Sequence, residues 1–301
     1  MAAGHLPLER DEQPRVVEQE AMLRAYTQPF PGGFRAWCRS ARVQVGGRGM
    51  VAWEPEPWHG ELDAGLVRGD VALLKARDRH CTTNAILEHL WNLLFVPESA
   101  GFYLTYAEVE AYQGVDSFKS RMEGIYRDLP AWQRAASRVS NGPKEGFGTQ
   151  GEVEIAQEWA EPRKSAFLRV ATATKNVGAT GAYTLATLDE MARYEDAGGT
   201  LEAITPSVRR TGGHIFMFGT LTSESHTGTR LVQEFLAMRE GASPGTALFV
   251  GYGSKPGETP QRYLEMEARA RRLGPGEMLV LRRQFPRSVE EALAERAGGL
   301  L

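Results

Sequence analysis

Val71-Ala72-Leu73-Leu74, then Lys75-Ala76-Arg77-Asp78-Arg79-His80-Cys81-Thr82-Thr83, then Asn84 through Phe95: this stretch sets the reading of the chain. Four apolar residues in a row read as a short buried strand. The next segment is polar and basic and ends in paired hydroxyls. Ile86, Leu87, Leu90, Leu93 and Leu94 then recur at helical spacing. Strand, polar loop and Thr-capped helix is the layout of a phosphate-binding loop. There the N–H groups at the helix start point at an anion, and a hydroxyl in the first turn can ligate Mg²⁺. The pattern G-x-x-x-x-G-K-[ST] is absent. With Thr82 in the hydroxyl place, Lys75 and His80 stand where the glycines belong and Cys81 where the lysine belongs.

A second stretch carries matching chemistry. Tyr183-Thr184-Leu185-Ala186-Thr187-Leu188 is apolar and β-prone, and it delivers two adjacent carboxylates, Asp189 and Glu190. Period 2 sends them to opposite sides of the strand end. One can bind Mg²⁺ through water while the other orients an attacking water. Alone, the aspartate reads somewhat better as a helix cap. Paired with the Lys75 loop, the hydrolytic reading gains weight. A third strand, His214-Ile215-Phe216-Met217-Phe218-Gly219, ends in Thr220; a turn threonine is the plain alternative.

Composition sets the bounds. The chain has 301 residues, 42% hydrophobic and 24% charged, an ordinary globular mix for one large or two small domains. No run approaches the roughly 18 apolar residues of a membrane helix, so no membrane contact is expected. No secretory signal is visible at the start. Two cysteines, Cys38 and Cys81, without a C-x-x-C pair, argue against a disulfide framework or zinc ribbon. A net charge of −3 means that any DNA contact must come from local basic patches. Arg269, Arg271, Arg272, Arg282, Arg283 and Arg287 form one such set, which reads either as a phosphate-backbone track or as a solvated helix face. Arg35, Arg39, Arg42 and Arg48 form another, on a segment read as a solvated edge strand or a DNA-touching arm. His214 and His226 lie near the third strand without metal-site spacing.

Residues 1–33 are polar, with one helical candidate at Val16 to Tyr26, and read as an N-terminal extension closed by Phe30-Pro31-Gly32-Gly33. From residue 34 to 301 strands alternate with helices. The expected fold is α/β, a mainly parallel central sheet flanked by helices. Ligands in such sheets bind at the carboxyl ends of the strands, and the Lys75 loop, Asp189-Glu190 and Thr220 all fall at such ends.

Leu74-Lys75-Ala76-Arg77 with Thr82-Thr83 resembles the "LKARQxGFST" loop of phage large terminase subunits, the ATPase motors that package viral DNA. Leu188-Asp189-Glu190 resembles their "LDEva" Walker B. Phe285-Pro286-Arg287-Ser288-Val289-Glu290-Glu291-Ala292-Leu293 resembles the "yPsTpeEAF" signature that closes their ATPase domain. The resemblance covers about Trp53 to Leu293, with the motifs in the family's order. It implies a P-loop NTPase of ASCE type that binds ATP on the loop Lys75 to Thr83, with Ala76, Asp78, Arg79, His80 and Cys81 between. In it Lys75 contacts phosphates, Arg77 stabilises transferring charge, Thr82 and Asp189 hold Mg²⁺, and Glu190 is the catalytic base. Thr220 senses the γ-phosphate, and His59 takes the place of the glutamine that reads adenine, its plain alternative being a surface turn residue.

Two departures stand out: Asp78 replaces a glutamine and His80 replaces a glycine, and a histidine adopts φ > 0 less readily. Double-stranded DNA, a portal protein, a small terminase subunit and a homo-oligomeric ring are the implied partners, in the host cytoplasm. The family's C-terminal nuclease domain has no room here, so no DNA cleavage is expected. Two other readings stay open: a degenerate relic that binds DNA or a capsid or portal partner without turnover, and a helicase-like P-loop ATPase.

Overall fold

The computed structural model describes residues 16–45, 49–114, 116–139, 147, 151–173, 177, 180–221 and 228–293. In chain order, the first elements are α1 (Val16–Tyr26), α2 (Gly32–Cys38), β1 (Arg42–Val45), β2 (Gly49–Ala52), α3 (His59–Arg68), β3 (Val71–Lys75) and α4 (Cys81–Phe95). Next come β4 (Ala100–Thr105), α5 (Phe118–Asp128), α6 (Ala131–Ala136), β5 (Ser137–Val139), β6 (Glu152–Gln157), β7 (Lys164–Thr172) and β8 (Leu185–Leu188). The chain continues with α7 (Ala197–Arg209), β9 (His214–Gly219), α8 (Gly228–Arg239) and β10 (Thr246–Val250). It closes with α9 (Pro260–Leu273), α10 (Pro275–Gln284) and α11 (Val289–Leu293).

Eight strands form one sheet in the order β10-β3-β9-β8-β4-β7-β6-β5. Every pairing from β10 to β7 is parallel, and β6 and β5 add an antiparallel edge. A mainly parallel α/β sheet, as expected, is what the chain builds. Alternation along the strands explains its two covered faces. Val71 and Leu73 of β3, with Phe216 and Phe218 of β9, join a core under α4 that includes Leu87, Leu90 and Leu94. Ala72 and Leu74, with Ile215 and Met217, join a second core with Leu201 and Ile204 of α7 and Leu231 and Phe235 of α8.

Register then brings the functional ends together. Leu74 pairs with Gly219, so Lys75 stands level with Thr220. Leu188 pairs with Met217, so Asp189 and Glu190 follow on the other side of β9. Parallel neighbours lie about 4.8 Å apart, so all three strand ends open on one edge.

The segment after Gly33 departs from the edge-strand reading. Phe34 and Trp37 sit one helical turn apart on α2, fully buried, and the strand begins only at Arg42. Spacing i, i+3 favours a helix, and the tertiary core rewards it. Arg35 bonds the Asp63 carboxylate at 2.5 Å, so it is a structural arginine rather than a free basic arm. Tyr26, at the end of α1, packs edge-on against Phe95. Residues 1–15, Arg48, most of the loop read at Asn141 to Gly148, part of Thr172 to Gly181, and His226 lie outside the described residues. Helix α10 had no counterpart in the sequence reading, which saw only arginines around Phe285-Pro286 there.

Candidate functional site at the carboxyl edge of the sheet

Residues 76–80 bridge β3 to α4. The loop's entry is lashed down: Ala76 N donates to Val250 O and Arg77 N to Gln284 O, both at 2.8 Å. Asp78 (φ 58°) and His80 (φ 54°) are both left-handed. The histidine therefore adopts the conformation that a glycine would take freely, and His is among the residues enriched there. Left-handed residues alternating with their neighbours turn successive N–H groups inward. Asn84 N donates to His80 O at 2.9 Å and opens α4. The N–H groups of Arg79, His80, Cys81, Thr82 and Thr83 meet no acceptor among the described residues. That is a cradle of donors at a helix start, where the helix dipole also favours an anion.

Side chains divide by depth. Lys75 and Arg79 are buried, as are Ala76, Cys81 and Thr83, while Arg77, Asp78 and His80 are exposed. The Arg79 guanidinium donates to Glu258 Oε1 at 2.8 Å, and its Nε and Nη1 are buried without a partner among the described residues. Glu258 Oε2 accepts from Gly253 N at 2.8 Å and Lys255 N at 3.3 Å. The loop and the turn after β10 are thereby one unit. Burial pushes the Cys81 thiol up, so it stays protonated and unreactive. Thr83 Oγ1 accepts from Arg121 of α5.

Behind the cradle the strand ends interlock. Lys75 Nζ donates to Glu190 Oε1 at 2.6 Å and to Thr220 Oγ1 at 3.0 Å. Glu190 Oε2 accepts from Thr220 N at 3.0 Å. A left-handed turn at Glu190 (φ 51°) aims it at Lys75, while Asp189 faces α4. Thr82 Oγ1 donates to Asp189 Oδ2 at 2.8 Å, and Tyr103 OH donates to the same oxygen. Asp189 Oδ1 is buried and has no partner among the described residues. Burial first, then the Glu190 charge, pushes the Asp189 carboxyl up to about 6, against the hydrogen bond from Tyr103. For Lys75, burial pulls the pKa down, but the Glu190 carboxylate outweighs it and the net shift is upward, so the ammonium stays charged.

This donor set suits a hard cation. Mg²⁺ takes oxygen ligands, few of them from protein, and a hydroxyl with an orphaned carboxylate oxygen beside a phosphate cradle supplies that. Among the described residues no cluster of three His, Cys, Asp or Glu makes a softer metal centre.

His59 is no surface turn residue. It is 1% exposed, stacks on Trp58 at 3.9 Å and meets Trp53 edge-on at 5.3 Å. Glu56 N donates to its Nδ1 at 2.7 Å, and its Nε2 is buried without a partner among the described residues. Burial, then Arg35, lowers its pKa to about 3, so the ring is neutral. It lies one layer behind the cradle: the Trp53 ring that it touches stands 6.2 Å from the His80 ring.

Sequence reasoning did not single out Tyr103, Glu258, Lys255 or Glu56. Tyr103 lies near the carboxyl end of β4, one strand from Asp189, and carried that much of a signal. The others are brought in by loops, whose placement no local pattern encodes. At the opposite edge a cavity of about 370 Å³ is lined by Asp70, Arg209, Arg230 and Glu234. Four of its charges are paired, Arg209 with Asp70 and Arg230 with Glu234, and Glu202 lines it as well.

No protein-family model matches the sequence, and no curated protein does. Solved structures match its fold. The ATPase domain of the Thermus phage P74-26 large terminase is 16% identical, with 77% of this chain and 93% of that one covered and a TM-score of 0.55. An arginine-to-alanine mutant of the same domain gives 17% identity and the same TM-score of 0.55. The HK97 bacteriophage large terminase is 13% identical, with 89% of this chain covered and a TM-score of 0.52. The match takes in 51% of that protein, so this chain spans about half its length. At these identities the likeness is one of fold, and the fold of this chain is that of the ATPase domain of phage large terminases.

Proposed function

We propose that the chain is an ATP-hydrolysing motor domain of large-terminase type, which drives double-stranded DNA into a viral procapsid. One observation carries the reading: Lys75, Thr82, Asp189, Glu190 and Thr220 join through contacts of 3.0 Å or less beside a row of N–H groups that are unpaired among the described residues. Phosphate on those groups is held by backbone donors and the helix dipole. Lys75 takes a phosphate oxygen in exchange for Glu190, and the freed Glu190 carboxylate accepts a proton from water aligned for in-line attack. Thr82 and Asp189, whose Oδ1 is without a partner among the described residues, would hold Mg²⁺, which would supply charge neutralisation for the transferring phosphoryl group. Arg77, exposed at the loop's crest, is free to turn onto that group. Thr220, bonded to both Lys75 and Glu190, senses the exchange between them. His59 backs the adenine side through Trp53.

The proposed motor unit is residues 34–301. Residues 1–33 form an extension whose end packs back through Tyr26. Portal protein, small terminase subunit and a ring of like chains are the proposed partners, in the host cytoplasm. Among the described residues no helix is long and apolar enough to cross a membrane. The test is a Mg²⁺-dependent ATPase assay with and without double-stranded DNA. Hydrolysis that needs Mg²⁺ and rises with DNA supports the motor; no hydrolysis overturns it. A second reading, binding DNA or a portal partner without turnover, draws on the His80 side chain at the crest and on Lys75 being already paired. It gains if that assay is silent.

A further inference from the structure

Lys255 lies far from every motif in the sequence, yet it reaches the cradle. Its Nζ donates to His80 Nε2 at 3.3 Å, on the residue that opens α4. It stands 3.8 Å from Glu56 Oε1, beyond hydrogen-bond range, so the pair is loose. His80 Nδ1 faces the same Glu56 oxygen at 3.3 Å.

The turn that carries Lys255 is braced. Ser254 Oγ donates to Gly251 O at 2.9 Å. Glu258 accepts from the N–H groups of Gly253 and Lys255 on one oxygen and from the buried Arg79 on the other. Since Arg79 belongs to the loop itself, the turn and the loop hold a common frame. The Lys255 side chain, 19% exposed, is thus aimed across the mouth rather than into solvent. Its present partners are both long-range: a ring nitrogen at 3.3 Å and a carboxylate oxygen at 3.8 Å. Meanwhile Lys75, the cation beneath the loop, is engaged by Glu190.

We propose that Lys255 is a phosphate-contacting residue of the nucleotide site, supplied by the turn after β10. This rests on the reading of the site given above. A phosphate oxygen on the cradle's N–H groups gives Lys255 a fully charged acceptor within reach, where it now has only a ring nitrogen at 3.3 Å and a carboxylate oxygen beyond hydrogen-bond range. The loop that lacks a glycine at His80 thereby gains a cation at the same point.

The experiment is a calorimetric titration of Mg²⁺–ATP into the wild type and into Lys255→Gln, Lys255→Arg and Glu56→Gln, with a thermal melt of each. The expected result is that Lys255→Gln weakens ATP binding about ten- to hundredfold, the value of one hydrogen bond to a charged group. Lys255→Arg recovers most of that loss, Glu56→Gln binds at least as tightly as wild type, and all melt alike. Wild-type affinity in Lys255→Gln, or an equal loss in Glu56→Gln, overturns the assignment while the site stands. No ATP binding by the wild type overturns the site and this assignment with it.

Discussion

Glu190→Gln separates holding a nucleotide from hydrolysing it. The change keeps the size of the side chain and removes its charge. In the wild type Glu190 Oε1 stands 2.6 Å from a Lys75 Nζ whose side chain is 8% exposed. The amide leaves that ammonium buried beside Thr220, with the Asp189 charge as its remaining counterweight. Removing one partner of a buried pair costs about 3–5 kcal/mol. With Glu190 itself 23% exposed, the lower end applies, about 3 kcal/mol. At roughly 2–4 °C per kcal/mol for a domain of this size class, the nucleotide-free variant melts about 6–12 °C below wild type. Phosphate oxygens replace the lost carboxylate, so saturating ATP analogue restores most of the difference, and ATP binds at least as tightly. Losing the water-activating group costs about 10²–10⁴ in rate. Thermal melts, calorimetry and single-turnover hydrolysis on one preparation read all three. Unchanged hydrolysis removes Glu190 from the mechanism, and unchanged melting refutes the buried pair.

Asp189→Asn is expected to stabilise the nucleotide-free chain at pH 7.5 in chelator while removing Mg²⁺-dependent nucleotide binding. Asp189 titrates at about 6 when folded, against an ordinary 3.8. Between those values the folded chain keeps a proton that the unfolded chain has lost. Stability therefore falls as pH rises through this window, and the penalty persists above it. Melts from pH 3.5 to 8 check this: the variant's gain, about 1–3 kcal/mol, should be full above about pH 6 and absent below about pH 4. Arg79→Ala strands the Glu258 carboxylate and is expected to cost about 3 kcal/mol; urea unfolding of Arg79→Ala, Glu258→Ala and the double variant should show strong non-additivity. Trp37→Ala opens the core under α4 and should cost about 3–5 kcal/mol by the same measurement. Tyr103→Phe removes one of two donors to Asp189 Oδ2 and should raise the Mg²⁺ concentration needed for half-maximal nucleotide binding severalfold, with little change in melting.

The parts of this fold that the sequence discloses are those governed by one local pattern. Val71 to Leu74 is apolar because both faces of β3 are covered, and Ile86 to Leu94 repeats at helical spacing on α4, a helix buried almost all round. Leu188-Asp189-Glu190 is legible because a buried strand must end before charge begins. What escaped notice depends on partners far away in the chain. Phe34 and Trp37 sit between arginines and prolines, and only the core they enter makes their segment a helix. Position 80 prompted an expectation about glycine, yet the loop's lashings at Ala76, Arg77 and Arg79 over-determine the backbone and hold a histidine left-handed. The resemblance assigned the loop arginine's role to Arg77, while the buried, paired arginine is Arg79, whose partner lies in a turn near the far end of the chain.

In the motor proposed above, three strand ends and one helix start grip a triphosphate with its metal. The measurement that bears on it most directly is calorimetric titration of the wild-type chain with a non-hydrolysable ATP analogue, with Mg²⁺ and then with chelator. The expected result is saturable one-to-one binding that weakens at least tenfold when Mg²⁺ is withdrawn. Absence of saturable binding at millimolar analogue, or binding indifferent to Mg²⁺, would contradict it.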